Sequence, residues 1–428
     1  MTGFLLFGSF IVLLILGVPI AVSLAMATMS AIIFSPDITL TLSVVTQRIF
    51  GGLDSTSIMA IAFFVLAGNI MTKGGISRRL VEFANCIVGG FRGGMSLAMV
   101  LACAFFAALS GSAPATVVAI GVMLYPDMVR LGYSKERTAG LLVVAGGLGP
   151  IIPPSIIMVV YCTITGASVG KMFSAGMGIG FMIVAVLMAT IIFYAHKEKW
   201  PKTSKKLTAA ELGKSFFNAI PALILPIIIL GGIYSGIFTP TESAVVAVVY
   251  CFVVSVFIYR EIDLKGVYDS FYRSISVNGM TTFMVGLSMA FAAYLTMERI
   301  PHKIAAAMLS VTDNRIVLLL LINVFLLFIG CLIDNIPATI ILSPILLPVV
   351  TQIGMSPITF GVMLTMNLAI GFVTPPYGIN LFVAAGISGE PMTRLIKPML
   401  FFIGGLLIAL GLTTFCEPVT LGLLGLMK

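Results

Sequence analysis

The sequence predicts an all-α polytopic membrane protein built from two inverted repeats, each with a re-entrant helical hairpin and a discontinuous helix. Three observations predict it: few charges, apolar runs of spanning length, and a set of proline motifs that occurs twice. Of the 428 residues, 59% are hydrophobic and 9% are charged, whereas a soluble domain is about 25% charged. So few charges cannot cover a water-exposed surface, and lipid must therefore face much of the chain.

The apolar runs are long enough to cross a bilayer core, which takes roughly 20 residues of helix. They recur along the whole chain, so a signal peptide does not account for them; examples are 173–194, 220–238, 244–259 and 398–416. Because lipid offers no hydrogen bonds to exposed backbone, helices are the expected spanning elements. The pattern predicts about ten spans in addition to the two hairpins.

The basic residues indicate how the chain is oriented. The net charge is +8, but lysine and arginine lie in short segments between apolar runs, as in cytoplasmic loops. We therefore expect contact with a lipid bilayer and none with nucleic acid. The most polar stretch, 197–214, holds six lysines and two glutamates. It is predicted to be a cytoplasmic basic linker between a first inverted repeat, 1–196, and a second, 215–428.

Three motifs recur across this linker in the same order. The pairs are Pro19 with Pro240, Pro114 with Pro337, and Gly149-Pro-Ile-Ile-Pro-Pro154 with Gly371-Phe-Val-Thr-Pro-Pro376. Their separations are 221, 223 and 222 residues. This nearly constant spacing predicts a duplicated structural unit.

Each repeat is expected to hold scaffold helices, then a hairpin, then a broken helix. Basic residues flank both sides of the segment 93–125, so it enters the membrane and returns, giving a first hairpin over 93–130 and a broken helix over 137–166. In the second half, the chain runs outward through 272–296, so a hairpin over 315–350 enters from outside and a broken helix follows over 358–388. The two halves are therefore predicted to be inverted.

The four breaks predict a particular chemistry. Proline lacks an N–H and frees the carbonyl four residues earlier, and glycine permits unusual backbone angles. Carbonyl and hydroxyl oxygens without thiolate or imidazole suit a hard cation such as Na⁺, and exposed helix N-termini favour anions. Paired broken helices in two halves predict a transport site at the bilayer midplane. Simple helix kinks are the alternative, and four breaks in register disfavour it.

Two acidic residues have separate interpretations. Asp334 lies at the second hairpin tip, where it either assists cation binding or caps the following helix; an acid at this depth is usually functional. Its counterpart is Gly111, so the two tips cannot be chemically identical. Glu242, in Thr239-Pro-Thr-Glu242, is expected to cap a helix start.

Catalytic sites are not indicated. The six cysteines form no CxxC, the two histidines lie in basic loop-like segments, and no phosphate-binding glycine loop occurs. An intramembrane enzyme would need a catalytic pair, and only Asp334 is predicted to lie at depth. The chain is therefore not expected to be an enzyme.

Taken together, the motifs resemble the large membrane subunit of tripartite ATP-independent periplasmic (TRAP) transporters. The motifs are Ser110-Gly-Ser-Ala-Pro-Ala-Thr116, 146–155, Phe238-Thr-Pro-Thr-Glu242, Asp334-Asn-Ile-Pro337 and Thr374-Pro-Pro-Tyr-Gly-Ile-Asn380. The resemblance implies a fold of the ion-transporter superfamily, an elevator mechanism, and Na⁺ as the coupling ion. It also implies uptake of an organic acid, either sialic acid or a C4-dicarboxylate, across a bacterial inner membrane.

The resemblance also implies partners. These are a small four-helix TRAP membrane subunit and a periplasmic substrate-binding protein that delivers the organic acid. Because the sequence begins directly with the large-subunit pattern, the small subunit is expected on a separate chain. The alternative is a stand-alone Na⁺-coupled anion carrier of the same superfamily.

The site residues are carried over by motif. One Na⁺ site is expected at Ser110, Ser112, Gly149, Ile152 and Pro154. A second is expected at Asp334, Asn335, Gly371, Thr374 and Pro376. The substrate is expected between the tips, near Thr116, Ser155, Asn335, Thr339 and Asn380.

Overall fold

The structure is a computed structural model that describes residues 2–34, 42–54, 56–202, 209–312, 314–376 and 378–426. These residues form helices, with an isolated β-bridge between Arg92 and Lys202. The first half contains α1 Thr2–Ile15, α2 Ile20–Ile33, α3 Leu42–Leu53, α4 Thr56–Lys73, α5 Ile76–Val88, α6 Gly94–Ser110, α7 Ala113–Arg130, α8 Lys135–Gly146, α9 Ile156–Thr165 and α10 Val169–Lys197.

The second half begins after the predicted linker, of which residues 203–208 lie outside the described residues. It contains α11 Ala209–Tyr234, α12 Pro240–Val253 with a π-helical turn Val254–Ile258, α13 Leu264–Met297, α14 Ile300–Val311, α15 Arg315–Gly330, α16 Asn335–Gln352, α17 Pro357–Val373, α18 Ile379–Ser388, α19 Met392–Phe415 and α20 Glu417–Leu426.

Six of the described helices are long and apolar enough to cross a membrane, or seven if the bent pair α3 and α4 is one span. This is fewer than the ten spans expected, since several apolar helices are only 10–17 residues long. Among these are α9 and α18, which follow the two broken segments. The chain is thus a multi-pass helical membrane protein.

Polar side chains begin the helices that surround the breaks. Ser134, Ser155 and Ser356 accept hydrogen bonds from backbone N–H groups in the first turns of α8, α9 and α17. Thr239 and Glu242 form a reciprocal capping box at the start of α12. The predicted capping role of Glu242 is confirmed, and such a cap is worth about 1 kcal/mol.

The helices pack into two groups, which we call the hairpin core and the scaffold. The hairpin core is α6–α10 with α15–α20, and the scaffold is α1–α4 with α11–α13. Helix α5 packs on α11 of the scaffold and α6 of the core, and α14 packs on α13 and α16. Within the core, α9 packs on α16 and α17, while α18 packs on α7 and α8. The helix after each break therefore lies against the other half of the chain.

Candidate functional site

The first hairpin tip is a tight turn between α6 and α7. Gly111 adopts left-handed backbone (φ 60°), Ser112 is extended, and a proline lies in the first turn of α7. The Ser110 and Thr116 hydroxyl oxygens are 3.3 Å apart, and Thr116 Oγ1 donates to the Ser112 carbonyl at 2.7 Å. The turn thus gathers three hydroxyl-bearing residues at the point where the chain reverses.

This tip packs directly on the first broken segment, between α8 and α9. A Cβ at Gly111 would lie 2.4 Å from the Pro154 carbonyl oxygen, and a Cβ at Gly149 would lie 2.5 Å from the Ser112 carbonyl carbon. Only glycine permits such close backbone approach. The structure therefore brings Gly149 and Pro154 against the tip that holds Ser110 and Ser112.

Several carbonyls of the first break are left without backbone donors. Within the described chain, no backbone N–H donates to the carbonyls of Gly149, Ile152 or Pro154. The Ile152 side chain packs against Gly180 of α10. The hydroxyl of Ser155, at the end of this break, donates to the Pro150 carbonyl and accepts from the Met158 N–H. Its hydrogen-bonding capacity is therefore used inside the break.

The second tip, between α15 and α16, differs in chemistry. Asp334 Oδ1 accepts a hydrogen bond from the Ile336 N–H at 3.3 Å, so this carboxylate caps α16. A Cβ at Gly371 would lie 2.2 Å from the Gly330 carbonyl carbon. The end of α15 and the end of α17 therefore meet backbone to backbone, as the first tip meets the first break.

The second break follows α17. The Thr374 hydroxyl donates to the Ile370 carbonyl at 2.6 Å, and the Gly371 carbonyl accepts from the Thr374 N–H. The carbonyls of Thr374 and Pro376 receive no backbone hydrogen bond from the described residues, which here exclude Tyr377. Both breaks contain a cis Pro–Pro peptide bond. The predicted residues of the second cation site thus lie along one short stretch and the neighbouring tip.

Both tips face one cavity of about 150 Å³. Its wall includes Gly111–Pro114 from the first tip, residues 334–336 from the second, Pro150 from the first break, and Ile156, Phe372 and Ile379 from the helix ends beside the breaks. Asn335 is the predicted substrate residue that lines it. Neither side-chain polar atom of Asn335 has a partner among the described residues. A buried amide without partners is costly, and here it borders an open space.

The other four predicted substrate residues are fully buried and do not line this cavity: Thr116, Ser155, Thr339 and Asn380. Asn380 Nδ2 donates to the Val143 carbonyl of α8 at 3.2 Å. Its Oδ1 and the Thr339 hydroxyl have no partner within the described part of the chain. These two residues place unsatisfied polar atoms in the buried interior, that of Asn380 at the contact between α18 and α8.

Three scaffold residues complete the wall: Val65 of α4, and Val277 and Thr281 of α13. Sequence reasoning missed them, because they lie in unbroken helices and carry no motif. Thr281 donates its hydroxyl to the Val277 carbonyl, an ordinary arrangement within a helix. The cavity therefore lies where the hairpin core meets the scaffold.

The architecture is that of a multi-pass helical membrane protein. It is similar to the crystal structure of the YdaH transporter of Alcanivorax borkumensis, with a TM-score of 0.61 over 87% of each chain and 13% sequence identity. At this identity the likeness concerns the fold alone. Residues 7–419 match the family model described as "Tripartite ATP-independent periplasmic transporter, DctM component". The chain belongs to this family, the large permease component of TRAP transporters.

Relatives within the family are named for different substrates. The chain is 41% identical to the isethionate TRAP transporter permease protein of Oleidesulfovibrio alaskensis over 97% of its own length, but spans 65% of that relative. It is 41% identical to the C4-dicarboxylate TRAP transporter large permease protein of Pseudomonas aeruginosa over 92% of both chains. It is 33% identical to the sialic acid TRAP transporter permease protein of Haemophilus influenzae, covering 94% of this chain and 65% of the relative.

Proposed function

We propose that this chain is the large permease subunit of a Na⁺-coupled TRAP transporter that imports a small organic acid across the bacterial inner membrane. The observation that carries the proposal is the convergence of both tips, and of the helix ends beside both breaks, on one cavity. Paired broken helices at one level are the arrangement in which secondary transporters bind ion and substrate.

One Na⁺ would bind at the first tip and one at the second. At the first, the ligands are the Ser110 and Ser112 hydroxyls with the carbonyls of Gly149, Ile152 and Pro154. These carbonyls lack backbone donors among the described residues, so they are available to a hard cation, which prefers oxygen ligands.

The second Na⁺ would bind among Asp334, Asn335, Gly371, Thr374 and Pro376. Here the structure adds a detail, because Asp334 Oδ1 is engaged in capping α16. The cation would therefore be coordinated by the other carboxylate oxygen. The two sites would differ in charge, one being neutral and one anionic.

The substrate would be held without a cationic side chain. No arginine, lysine or histidine is among the residues that line the cavity, but α7 and α16 both begin there. Helix N-termini present N–H groups and positive dipole ends to an anion. A cavity of about 150 Å³ is the size that holds a benzene-sized molecule. It fits isethionate or a C4-dicarboxylate better than the larger sialic acid, and relatives 41% identical are named for both small acids.

Transport would proceed by an elevator movement of the hairpin core against the scaffold. Two observations support it: the site lies at the boundary of the two groups, and the reciprocal packing of α9 and α18 fits two inverted repeats. The partners would be a separate small four-helix membrane subunit and a periplasmic binding protein. The family and the names of its members support both partners. One relative, of which this chain covers 65%, is named as a combined DctMQ protein.

Uptake by reconstituted vesicles tests the proposal. Vesicles holding this chain and the small subunit, given the binding protein and a radiolabelled C4-dicarboxylate, should accumulate the acid under an inward Na⁺ gradient. Replacing Na⁺ with K⁺, or omitting either partner, should abolish accumulation. Accumulation by this chain alone would instead establish the alternative, a stand-alone Na⁺-coupled anion carrier. Accumulation that is independent of Na⁺ would contradict both.

A further inference from the structure

A large groove runs along the outside of the hairpin core, away from the cavity between the tips. Its volume is about 1040 Å³, and it lies between the end of α5, the segment leading into α6, and the last turns of α10. Its walls are mainly apolar, and several wall residues are exposed: Ile87, Phe91 and Ile192 are 42%, 62% and 45% accessible. An open apolar groove of this size marks an interaction site.

One end of the groove is cationic. Arg92, His196 and Lys202 line it, and no aspartate or glutamate does. Neither Arg92 nor Lys202 forms an ion pair with any residue that the structure describes. The imidazole of His196 donates from Nδ1 to the Ile192 carbonyl, at 2.8 Å.

The cationic end is held in place by the surrounding backbone. Arg92 and Lys202 form the isolated antiparallel bridge, and the adjacent Gly93 N–H donates to the Pro201 carbonyl at 3.1 Å. The Tyr133 hydroxyl donates to the same carbonyl at 3.2 Å, and Trp200 packs edge-on against the Tyr133 ring. The cationic side chains of Arg92 and Lys202 therefore extend from a backbone segment that is already fixed. Little backbone ordering is required when an anion binds.

We propose that this groove binds an anionic phospholipid, such as phosphatidylglycerol. The headgroup phosphate binds Arg92 and Lys202. An acyl chain lies along the apolar wall formed by Ile87, Phe91 and Ile192. Clustered cations at the end of membrane helices attract anionic lipid headgroups, and an arginine matches a phosphate with paired hydrogen bonds.

The occupied groove would join two parts of the molecule. Helix α5 packs on scaffold helix α11 as well as on α6, whereas α10 packs within the hairpin core. A lipid between α5 and α10 therefore contacts the helix that bridges scaffold and core. This inference rests on the groove and not on the proposed transport activity.

Native mass spectrometry of the full chain tests the proposal. Detergent-solubilised protein is titrated with phosphatidylglycerol or with phosphatidylcholine of the same acyl chains. The chain should bind one phosphatidylglycerol in clear preference to phosphatidylcholine. The double variant Arg92→Gln/Lys202→Gln should weaken this binding about 30-fold, since each cation near a membrane surface contributes about fivefold.

The matched control is Lys197→Gln/Lys199→Gln, which removes two charges from the same segment without altering the groove lining. It should bind phosphatidylglycerol as the unmodified chain does. Equal weakening in both double variants, or no weakening in the groove variant, would overturn the proposal. Folding of the variants is checked by thermal melting.

Two further measurements distinguish the proposed phospholipid from other possible occupants of the groove. Glycerol phosphate, the headgroup without acyl chains, should not displace the lipid at equal concentration; equal competition would show a free phosphate site instead. Adding the small membrane subunit should leave the lipid bound. Its displacement would overturn the proposal and assign the groove to a subunit interface.

Discussion

Ser112 and Thr374 belong to the two proposed cation sites, Ser112 at the first tip and Thr374 at the second break. Replacing either by alanine removes one hydroxyl ligand of the proposed cations while the backbone carbonyls remain. Because a hydrogen-bond-like contact to a charge is worth about 1.5–3 kcal/mol, each change should raise the Na⁺ concentration for half-maximal uptake about tenfold or more. The measurement is vesicle uptake as a function of Na⁺ at fixed acid concentration.

Thr351→Ala is the matched control. The Thr351 hydroxyl donates to the carbonyl four residues earlier, Leu347, just as that of Thr374 does, but it is exposed at the far end of α16. This variant should leave the Na⁺ dependence unchanged. An unaltered Na⁺ dependence in both Ser112→Ala and Thr374→Ala would remove the assignment of the cation sites.

Asn335 is the residue where substrate binding can be tested most directly. Asn335→Asp keeps the side-chain shape but adds a negative charge beside Asp334 and the cavity. Repulsion should raise the acid concentration for half-maximal uptake at least tenfold, because like charges near a protein surface interact by a few kcal/mol at close range. Kinetics of uptake at saturating Na⁺ would measure this.

The control for this change is Asn314→Asp. Asn314 caps α15 at an exposed position, and aspartate caps a helix as well as asparagine does. Uptake by this variant should match that of the unmodified chain. If Asn335→Asp also retained full acid affinity, the cavity between the tips would not be the substrate site.

For single residues, the sequence predicted some roles and left others open. The spacing in Thr239-Pro-Thr-Glu242 specifies a capping box, and the structure contains it. For Asp334 the sequence allowed a cap or a cation ligand, and the structure establishes the cap. The position of Ser155 in the sequence did not reveal that its hydroxyl donates a hydrogen bond to the Pro150 carbonyl, because this bond depends on how the break folds.

Glycine contacts join each hairpin to its neighbouring broken helix. Gly371→Ala would place a methyl group against the Gly330 carbonyl carbon, where the ideal position is 2.2 Å away. Neither backbone can move aside freely, and overpacking of this kind costs about 1–3 kcal/mol. We expect uptake to fall at least tenfold and the melting temperature to fall by several degrees.

Gly404→Ala in α19 provides the comparison, because a Cβ there meets nothing within 4 Å. It should leave uptake and melting temperature unchanged or slightly improved, since alanine favours helix over glycine. Full activity of Gly371→Ala would contradict the close backbone contact between α15 and α17.

The spacing of proline and glycine allowed the positions of the two broken segments to be predicted from the sequence. The segments 147–155 and, among the described residues, 374–376 and 378 lie between helices in the structure, where proline prevents a continuous hydrogen-bond ladder. Gly176 and Gly180 of α10 lie against Met158 and Ile152. What these glycines contact could not be predicted, because spacing along one helix does not identify its neighbour.

For the molecule as a whole, composition predicted a multi-pass helical membrane protein and the motifs predicted the family, and the match to the family model over residues 7–419 confirms the family. The convergence of the four breaks on one cavity was expected from the duplication. The contribution of Val65, Val277 and Thr281 was not, because these residues lie in regular helices whose partner is fixed only by tertiary packing. The cationic groove was equally hidden, since its residues come from α5, α10 and the segments beside them.

The proposed elevator mechanism requires the hairpin core to move relative to the scaffold during transport. A cross-link can test it, because a Cβ at Gly68 of α4 would lie 3.8 Å from the Ser110 Cβ, a distance suited to a disulfide. The pair Val117 and Gly146 has a corresponding separation of 3.5 Å within the hairpin core. Both double-cysteine variants are made in a background without the six native cysteines.

Vesicle uptake at saturating Na⁺ is then compared before and after oxidation, and again after reduction. Oxidation of Gly68→Cys/Ser110→Cys should stop uptake, and reduction should restore it. The pair within the core, Val117→Cys/Gly146→Cys, should transport equally in both states. Undiminished uptake by the fully cross-linked Gly68→Cys/Ser110→Cys protein would contradict an elevator movement of the core against the scaffold.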